Sequence, residues 1–174
     1  MSTTANPLRP ELANLPVRMR NLPVDDKGYP VALFDKVDPQ CWMLVVENAL
    51  CRICGERLGL RVVFVLDPAS AVGRVTDSIP AHYECANWWA CHLAGEGCVA
   101  LWICRHYAIM HDRERRPYIR LQDLDRVEWY AGGRLATRDE VRRAIESGLF
   151  NAREERPEAA KDLNRLVQSL LPAR

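Results

Sequence analysis

The sequence predicts an α+β protein, and three observations lead to that fold class. Two runs rich in β-branched and aromatic residues, 61–66 and 99–105, are typical of strands. Helix-start signals at 38–39 and 137–140 each precede apolar residues at helical spacing. A C-x2-C element is followed later by H-x2-C, a pattern of residues that can hold a metal ion. We therefore expect a small mixed fold with a metal-binding core.

The first helix is predicted to begin at Asp38-Pro39, because Asp caps a helix well and Pro suits its first position. Its apolar residues recur at helical spacing: Trp42, Val45, Val46 and Ala49. A second helix is expected from Pro80 to about Leu93, ended by Gly95 and Gly97.

Two more helices are predicted near the C-terminus. Thr137 and Glu140 form a capping box, Val141, Ala144 and Ile145 follow on one side, and Gly148 is expected to end this helix. The last helix, residues 157–170, has an apolar stripe of Leu163, Leu166, Val167 and Leu170, with Leu171 just beyond it. Such a stripe could pack on the protein itself or hold two copies of the chain together.

The strands are expected to form hairpins. Residues 61–66 and 74–76 are predicted to pair across a turn at 67–73, and residues 118–121 and 127–130 are predicted strands. Gly132-Gly133 predicts a tight turn into Leu135. Residues 99–105 are predicted to form a buried strand. A short edge strand is expected at 30–34, after a turn at 25–29, and a charged loop is expected at 112–116.

The chain divides into four predicted parts. Residues 1–24, with four prolines, are interpreted as a flexible or loosely docked arm. Residues 25–112 are the predicted metal-binding domain, residues 113–150 a β-hairpin and helix packed on it, and residues 151–174 the C-terminal amphipathic helix.

Composition narrows the functional classes. The formal net charge is +1, so bulk electrostatics give no support for a nucleic-acid or membrane partner. No apolar run is long enough to cross a membrane, and Met1 to Pro10 has no signal-peptide pattern. We therefore expect a cytoplasmic protein, in which thiols stay reduced and the seven cysteines need an explanation other than disulfides.

The explanation is one structural zinc ion held by Cys51, Cys54, His82 and Cys85. C-x2-C followed by Gly55 lets two thiolates reach one ion from a tight turn. His82 and Cys85 are three residues apart, so they share one face of a helix's first turn. The order of turn, hairpin and helix resembles the treble-clef zinc finger. A redox C-x-x-C would instead stand at a helix start after a strand.

Other cysteines and histidines leave further possibilities open. A second metal site could use Cys91, His92, Cys98, Cys104 and His106, although their spacing matches no ligand pattern. The letters His82-Tyr83-Glu84 match the H-x-E of zinc deaminases, but the C-x-x-C lies upstream and Cys85 would fill the position that a catalytic ion keeps open. We therefore expect no enzyme.

A nuclease is a further functional alternative, ranked third after the two binding functions given below, because the treble clef also underlies HNH-type nucleases. Those enzymes hold a second, catalytic metal, for which His106, His111 and Asp112 are the loose candidates here. Residues 61–78 contain no histidine, and His106 and His111 are five apart, a spacing that shares a face on neither a helix nor a strand.

Five segments stand out as a set: Lys27-Gly-Tyr-Pro-Val31, the Cys51–Gly59 knuckle, Pro80-Ala-His82 with Cys85-Ala86, Val127-Glu-Trp-Tyr130, and Gly133 to Val141 with Ser147-Gly-Leu149. Together they resemble an uncharacterised family of zinc-finger-like proteins from actinobacterial phages and prophages. The resemblance implies a phage-type origin and the cytosol of a bacterial host. It implies no activity.

The leading functional expectation is a non-enzymatic binding module for a host or phage macromolecule, with protein favoured over DNA or RNA. The near-neutral charge supports this order, because affinity for nucleic acid rests largely on neutralising phosphates. The alternative is a nucleic-acid-binding finger, with a local basic face made by Arg52, Arg57, Arg61 and Arg74.

Overall fold

The structure is a computed structural model that describes residues 14–34, 37–92 and 97–155, with side chains described up to residue 147. A short 3-10 helix, Val17–Met19, comes first. The elements that follow are α1 Pro39–Glu47, β1 Val62–Leu66, α2 Pro68–Gly73, β2 Val75–Thr76, α3 Tyr83–His92, β3 Cys98–Cys104, β4 Tyr107–His111, β5 Pro117–Leu121, β6 Arg126–Ala131, β7 Arg134–Leu135 and α4 Arg138–Glu155.

Helices and antiparallel sheets occur together, which confirms the α+β class. Among the described residues the strands form a four-stranded sheet in the order β1-β3-β6-β7 and a three-stranded sheet in the order β2-β5-β4. Every pairing is antiparallel. Strand β3 lies between β1 and β6, so the metal-binding segment and the C-terminal segment share one sheet.

Strands β1 and β3 of the four-stranded sheet are buried on both faces. Alternate residues of β3, Ala100, Trp102 and Cys104, join a main core with residues of α1, α2 and α4. Leu101 and Ile103 face a second group, here called the cysteine-side core, whose members include Met19, Cys51, Ile53, Cys85, Trp88 and Tyr130. Burial on both faces explains why the sequence of β3, CVALWIC, is continuously apolar and does not alternate between apolar and polar residues.

The predicted helix starts at Asp38 and Thr137 are confirmed. The Asp38 carboxylate accepts hydrogen bonds from the backbone N–H groups of Gln40 and Cys41. Glu140 accepts from the Thr137 backbone at 2.7 Å, and the Glu140 N–H donates back to Thr137 Oγ1 at 3.4 Å. The Arg134 guanidinium and the Thr137 donors hold the pKa of the Glu140 carboxyl at about 2.

The expected hairpin between residues 61–66 and 74–76 is wrong. Strand β2 pairs with β5, and β1 pairs with β3. The predicted turn at 67–73 is the short helix α2, which Asp67 caps by accepting from the Ser70 N–H at 2.9 Å. Helix α2 packs against α4 and carries the chain from one sheet to the other. On its outer side, β1 pairs with a single residue of the part of the chain that the structure describes, Ala81.

Residues 30–34 form no strand ladder, contrary to the edge-strand prediction. The backbone of this segment instead reaches the C-x2-C turn, where the Leu33 N–H donates to the Ile53 carbonyl at 3.1 Å and the Phe34 N–H to the Arg52 carbonyl at 2.9 Å. The N-terminal arm is docked where the structure describes it, because Met19 is 1% exposed within the cysteine-side core. Residues 1–13 lie outside the described residues.

Gly148 does not end the last described helix, because α4 continues to Glu155. A glycine inside a helix costs only about 1 kcal/mol relative to alanine, so it need not stop one. Val141 and Ile145 are fully buried in the main core, as their spacing predicts. The predicted helix at 157–170, and with it most of 151–174, lies outside the described residues.

Strand β4 is an element that the sequence did not reveal. It pairs with β5, and the charged loop at 112–116 is the turn between them, so the predicted domain boundary at 112 falls inside a hairpin. Asp112 organises this turn by accepting backbone hydrogen bonds from Glu114 and Arg116.

We expect Gly133→Ala to lower the free energy of unfolding by about 1–3 kcal/mol, because the residue has a left-handed backbone. Its φ is +77°, and an added Cβ would lie 2.6 Å from the Cys91 carbonyl oxygen. Gly59→Ala is the matched control, since a Cβ there meets nothing within 4 Å. Urea unfolding of both variants checks the prediction, and equal midpoints would contradict it.

Candidate metal centre

The first ligand pair lies on a tight turn that follows α1. The Cys51 N–H donates to the Glu56 carbonyl at 2.8 Å, and the Gly55 N–H donates to the Cys51 carbonyl at 2.9 Å. Gly55 has a φ of +74°, and an added Cβ would lie 2.8 Å from Leu33 Cδ1. The backbone conformation therefore favours glycine here, and a larger residue would also have to displace the end of the Leu33 side chain. The turn points the thiols of Cys51 and Cys54 to one side.

The second pair is positioned by β1 and α3. Val63 and Ala81 exchange two backbone hydrogen bonds, at 3.0 and 2.8 Å, so the residue before His82 is fixed to the sheet. Helix α3 then begins at Tyr83, and Cys85 lies in its first turn. The Arg52 N–H also donates to the Pro80 carbonyl at 3.0 Å, which ties the C-x2-C turn directly to the segment that carries His82.

These contacts bring the four predicted ligands together. Their ligand atoms all lie within 4.8 Å of one another: the sulfurs of Cys51, Cys54 and Cys85 and a ring nitrogen of His82. Two thiolates on one tetrahedral zinc ion are about 3.8 Å apart, given Zn–S bonds of about 2.3 Å. The three cysteines are 0%, 8% and 0% exposed, as suits a closed site. The donor set therefore fits a metal ion, and soft thiolates with imidazole favour zinc.

The imidazole of His82 is held in the orientation that a ligand needs. Its Nε2 lies 3.0 Å from the Arg57 carbonyl oxygen. A carbonyl only accepts hydrogen bonds, so a neutral His82 imidazole in this position would carry its proton on Nε2 and leave the lone pair on Nδ1. Nδ1 is the atom that faces the cysteines, at 3.3 Å from Cys54 Sγ. A backbone carbonyl that fixes the tautomer of a histidine is a common outer partner of metal ligands.

The thiols differ in how readily they ionise. The pKa of Cys51 is lowered to about 4, first by the hydrogen bond with the Cys85 thiol and then, against the effect of burial, by backbone N–H groups of Cys54, His82 and Ile53. The pKa of Cys85 is raised, first by that same bond and then by burial. Burial is also the main cause that raises the pKa of Cys54. A divalent cation would favour the thiolate at all three, and its binding would release protons.

The other cysteines and histidines do not form a second cluster. In the part of the chain that the structure describes, no other group of three or more potential ligands comes together. Cys104 is buried in the main core on β3, where burial raises its pKa to about 12. His92 stacks on Trp88, with ring centroids 4.6 Å apart, and His106 pairs with Asp123 at 2.7 Å.

The four arginines proposed for nucleic acid lie in separate settings. Arg52 donates to Ser78 Oγ at 2.9 Å and lies 6.0 Å from the centre of the Trp89 ring. Arg61 shares Asp125 with Arg105. Arg74 is half-buried over the Trp102 ring, and Arg57 is exposed beside the metal site.

The candidate nuclease residues are also apart. His106 precedes β4 and His111 ends it, so the length of the strand separates them. Asp112 accepts the hydrogen bonds of the β4–β5 turn and forms an ion pair with Arg116.

Among the residues that the structure describes, no helix is both long enough and apolar enough to cross a membrane.

Some supports of the site were not evident in the sequence. The Arg57 carbonyl and the pairing of Val63 with Ala81 are backbone contacts, which carry no residue-type signal. Met19, which packs in the cysteine-side core, stands as an isolated apolar residue in a proline-rich segment. The ion pair of Arg18 with Glu56 fastens that segment beside the C-x2-C turn.

Comparison with known protein families, with curated proteins and with solved structures finds no match. The resemblance to zinc-finger-like phage proteins therefore stays a prediction, and the geometry of the site itself carries the functional argument.

Cys85→Ser should strongly lower metal content and destabilise the fold, whereas Cys91→Ser should do neither. Both residues lie on α3, but only Cys85 belongs to the cluster. Losing one of four ligands leaves a site that no longer closes around the ion. Metal content and thermal unfolding of the two variants, purified side by side, check this. Equal metal content in both would contradict the assignment of Cys85.

Proposed function

We propose that the protein is a non-enzymatic binding module whose fold is closed by one structural zinc ion. The observation that carries the proposal is the convergence of four ligand atoms within 4.8 Å from two segments of the chain. One segment is the turn after α1, and the other runs from the end of β2 into the first turn of α3. A metal ion that bridges them would connect parts of the chain that are about thirty residues apart in sequence.

A structural role suits this donor set better than a catalytic one. Three cysteines and one histidine complete a tetrahedron, whereas catalytic zinc keeps one position for water or substrate. The cysteines also lie among apolar side chains of the cysteine-side core, such as Ile53 and Leu101. Glu84, the middle residue of the H-x-E match, is exposed and lies outside the cluster.

The partner proposed is a protein. Nucleic-acid affinity rests largely on basic side chains placed to neutralise phosphates. Arg61 and Arg105 already share one carboxylate, and Arg52 and Arg74 lie over tryptophan rings. These contacts draw the candidate arginines toward the protein's own groups. A formal net charge of +1 adds no long-range attraction for phosphates.

The bacterial cytosol is the proposed location. All seven cysteines are free thiols, the state that a reducing compartment maintains. A phage or prophage origin is part of the same proposal, and it rests on the sequence resemblance alone.

We expect the purified protein to carry about one equivalent of zinc, because one complete ligand set is present in the described residues. Removal of zinc by a strong chelator should abolish or strongly lower the thermal transition, since binding to such sites is coupled to folding. Elemental analysis and thermal scans, with zinc added back, make the test. Folded protein without zinc, never exposed to chelator, would refute the proposal.

DNA and RNA binding should be weak, with dissociation constants of roughly micromolar or poorer at physiological salt. Fluorescence anisotropy with labelled duplex DNA and single-stranded RNA at two salt concentrations measures this. Nanomolar binding with a steep salt dependence, lost in Arg57→Ala, would instead support the nucleic-acid-binding finger.

A further inference from the structure

Strand β4 is the longest unpaired sheet edge in the part of the chain that the structure describes. It lies at the end of the three-stranded sheet and pairs there only with β5. The other sheet edges are short or partly covered: β2 and β7 have two residues each, and β1 pairs with Ala81 on its outer side. Proteins commonly keep edges short or covered, because an open edge is a template for another strand. Among the same described residues, the five-residue strand β4 has neither protection.

The sequence of β4, YAIMH, also lacks the residues that usually keep an edge strand unpaired. Such strands often carry a charge, a proline or a bulge, whereas β4 contains no proline, lysine, arginine or carboxylate. Met110 is a large apolar side chain that is 37% exposed, and His111 is exposed beside it. A second strand could therefore pair along this edge without burying an unpaired carboxylate, lysine or arginine of β4.

The turn between β4 and β5 sets the hydrogen-bonding pattern of the hairpin. The Asp112 N–H donates to the Arg116 carbonyl at 3.1 Å, so these two residues face each other across the ladder. Hydrogen-bonded and non-hydrogen-bonded pairs alternate along antiparallel strands, so the next pair, His111 with Pro117, is not hydrogen-bonded. The identity of Pro117 agrees with this, because a proline has no N–H to donate.

The same alternation shows which backbone groups of β4 point outward. Ala108 and Met110 bond to β5, whereas Tyr107, Ile109 and His111 turn their N–H and C=O groups away from it. Among the described residues, no backbone hydrogen bond beyond the sheet involves these three. Strand β4 thus presents a row of backbone donors and acceptors at every second residue, which is what an added strand needs.

We propose that two copies of the chain form a dimer through β4, paired antiparallel with Ile109 of one copy opposite Ile109 of the other. The outward groups are arranged symmetrically about Ile109, so a two-fold axis there lets all of them pair. Tyr107 of each copy lies opposite His111 of the other. This register forms roughly six backbone hydrogen bonds, two for each hydrogen-bonded pair.

The side chains of β4 complement those of a second copy in this register. The small Ala108 lies opposite the large Met110, whose exposed side chain is thereby partly covered. The β-branched Ile109 meets its own copy, and an aromatic ring meets an imidazole at each end, pairs that are favourable across strands. No two acidic or two basic residues of the strands oppose each other. A few residue pairs make a small interface, so the dimer is weak and its population rises with protein concentration.

Sedimentation equilibrium of the full chain over a wide range of concentrations tests the dimer. His111→Pro should weaken association roughly tenfold or more, because each dimer loses two backbone hydrogen bonds. The substitution removes no bond to β5, since His111 turns its N–H outward. His111→Ala is the matched control: it removes the same side chain but keeps the N–H, so it should weaken association far less.

Amide hydrogen exchange of the wild-type chain, measured by NMR at low and high protein concentration, locates the interface without any substitution. The amides of Tyr107, Ile109 and His111 should exchange more slowly at the high concentration, because the second copy protects them. The amides of Ala108 and Met110 should exchange equally at both concentrations, because β5 protects them already.

Three results would overturn the proposal. The first is a monomer at every concentration, and the second is a folded His111→Pro variant that associates as tightly as wild type. The third is a dimer in which the outward amides gain no protection, since its interface would then lie on another surface. If His111→Pro does not fold, the exchange pattern of the wild-type chain decides the question. None of these measurements depends on the proposed zinc ion or protein partner.

Discussion

Strands β1 and β3 are buried on both faces, so their register determines where the segments packed on either side of the sheet lie. One face of the two strands supports the main core through Phe64 and Trp102, and the other supports the cysteine-side core through Val63 and Leu101. The backbone hydrogen bonds between Val63 and Ala81 fix the position of Ala81 on the sheet. Because His82 is the next residue, its position at the metal site is fixed as well. The ligands are thus placed by the sheet, and a shift of β1 by one residue would exchange the two faces.

The cysteine-side core explains why a metal ion suits this position. Besides residues of the four-stranded sheet, it contains three short pieces that form no strand ladder: the segment around Met19, the C-x2-C turn and helix α3. Structural zinc binds zinc-finger peptides with an apparent free energy of about 10–16 kcal/mol at neutral pH, which is comparable with the whole stability of an ordinary domain. An ion held by two of these pieces would therefore add a large stabilisation to their apolar contacts. The Arg57 carbonyl orients the His82 ring, and the backbone N–H groups near Cys51 lower the pKa of its thiol, so both residues are suited to bind a metal ion.

Local signals in the sequence predicted the helix starts and the metal ligands. They did not predict which strands pair with each other over long distances in the sequence. The caps at Asp38 and Thr137 were predictable because the groups involved are within three residues of each other. The same Asp-Pro signal at Asp67-Pro68 was interpreted as a turn, since the six residues of α2 are too few to show a helical period. The partner of β2 is more than forty residues away in β5, so spacing favoured the wrong hairpin with β1. Cys51, Cys54, His82 and Cys85 were predictable as a set because ligand chemistry restricts both residue type and spacing.

The proposed metal centre is one zinc ion held by three thiolates and one imidazole. X-ray absorption spectroscopy at the zinc edge, on protein purified without added chelator, identifies the ligand atoms themselves. We expect about three sulfur ligands at about 2.3 Å and one nitrogen at about 2.0–2.1 Å. In a His82→Ala variant that keeps its zinc, the nitrogen contribution should disappear. Oxygen and nitrogen ligands alone, or a ligand set unchanged by removal of His82, would show that these four residues do not hold the zinc.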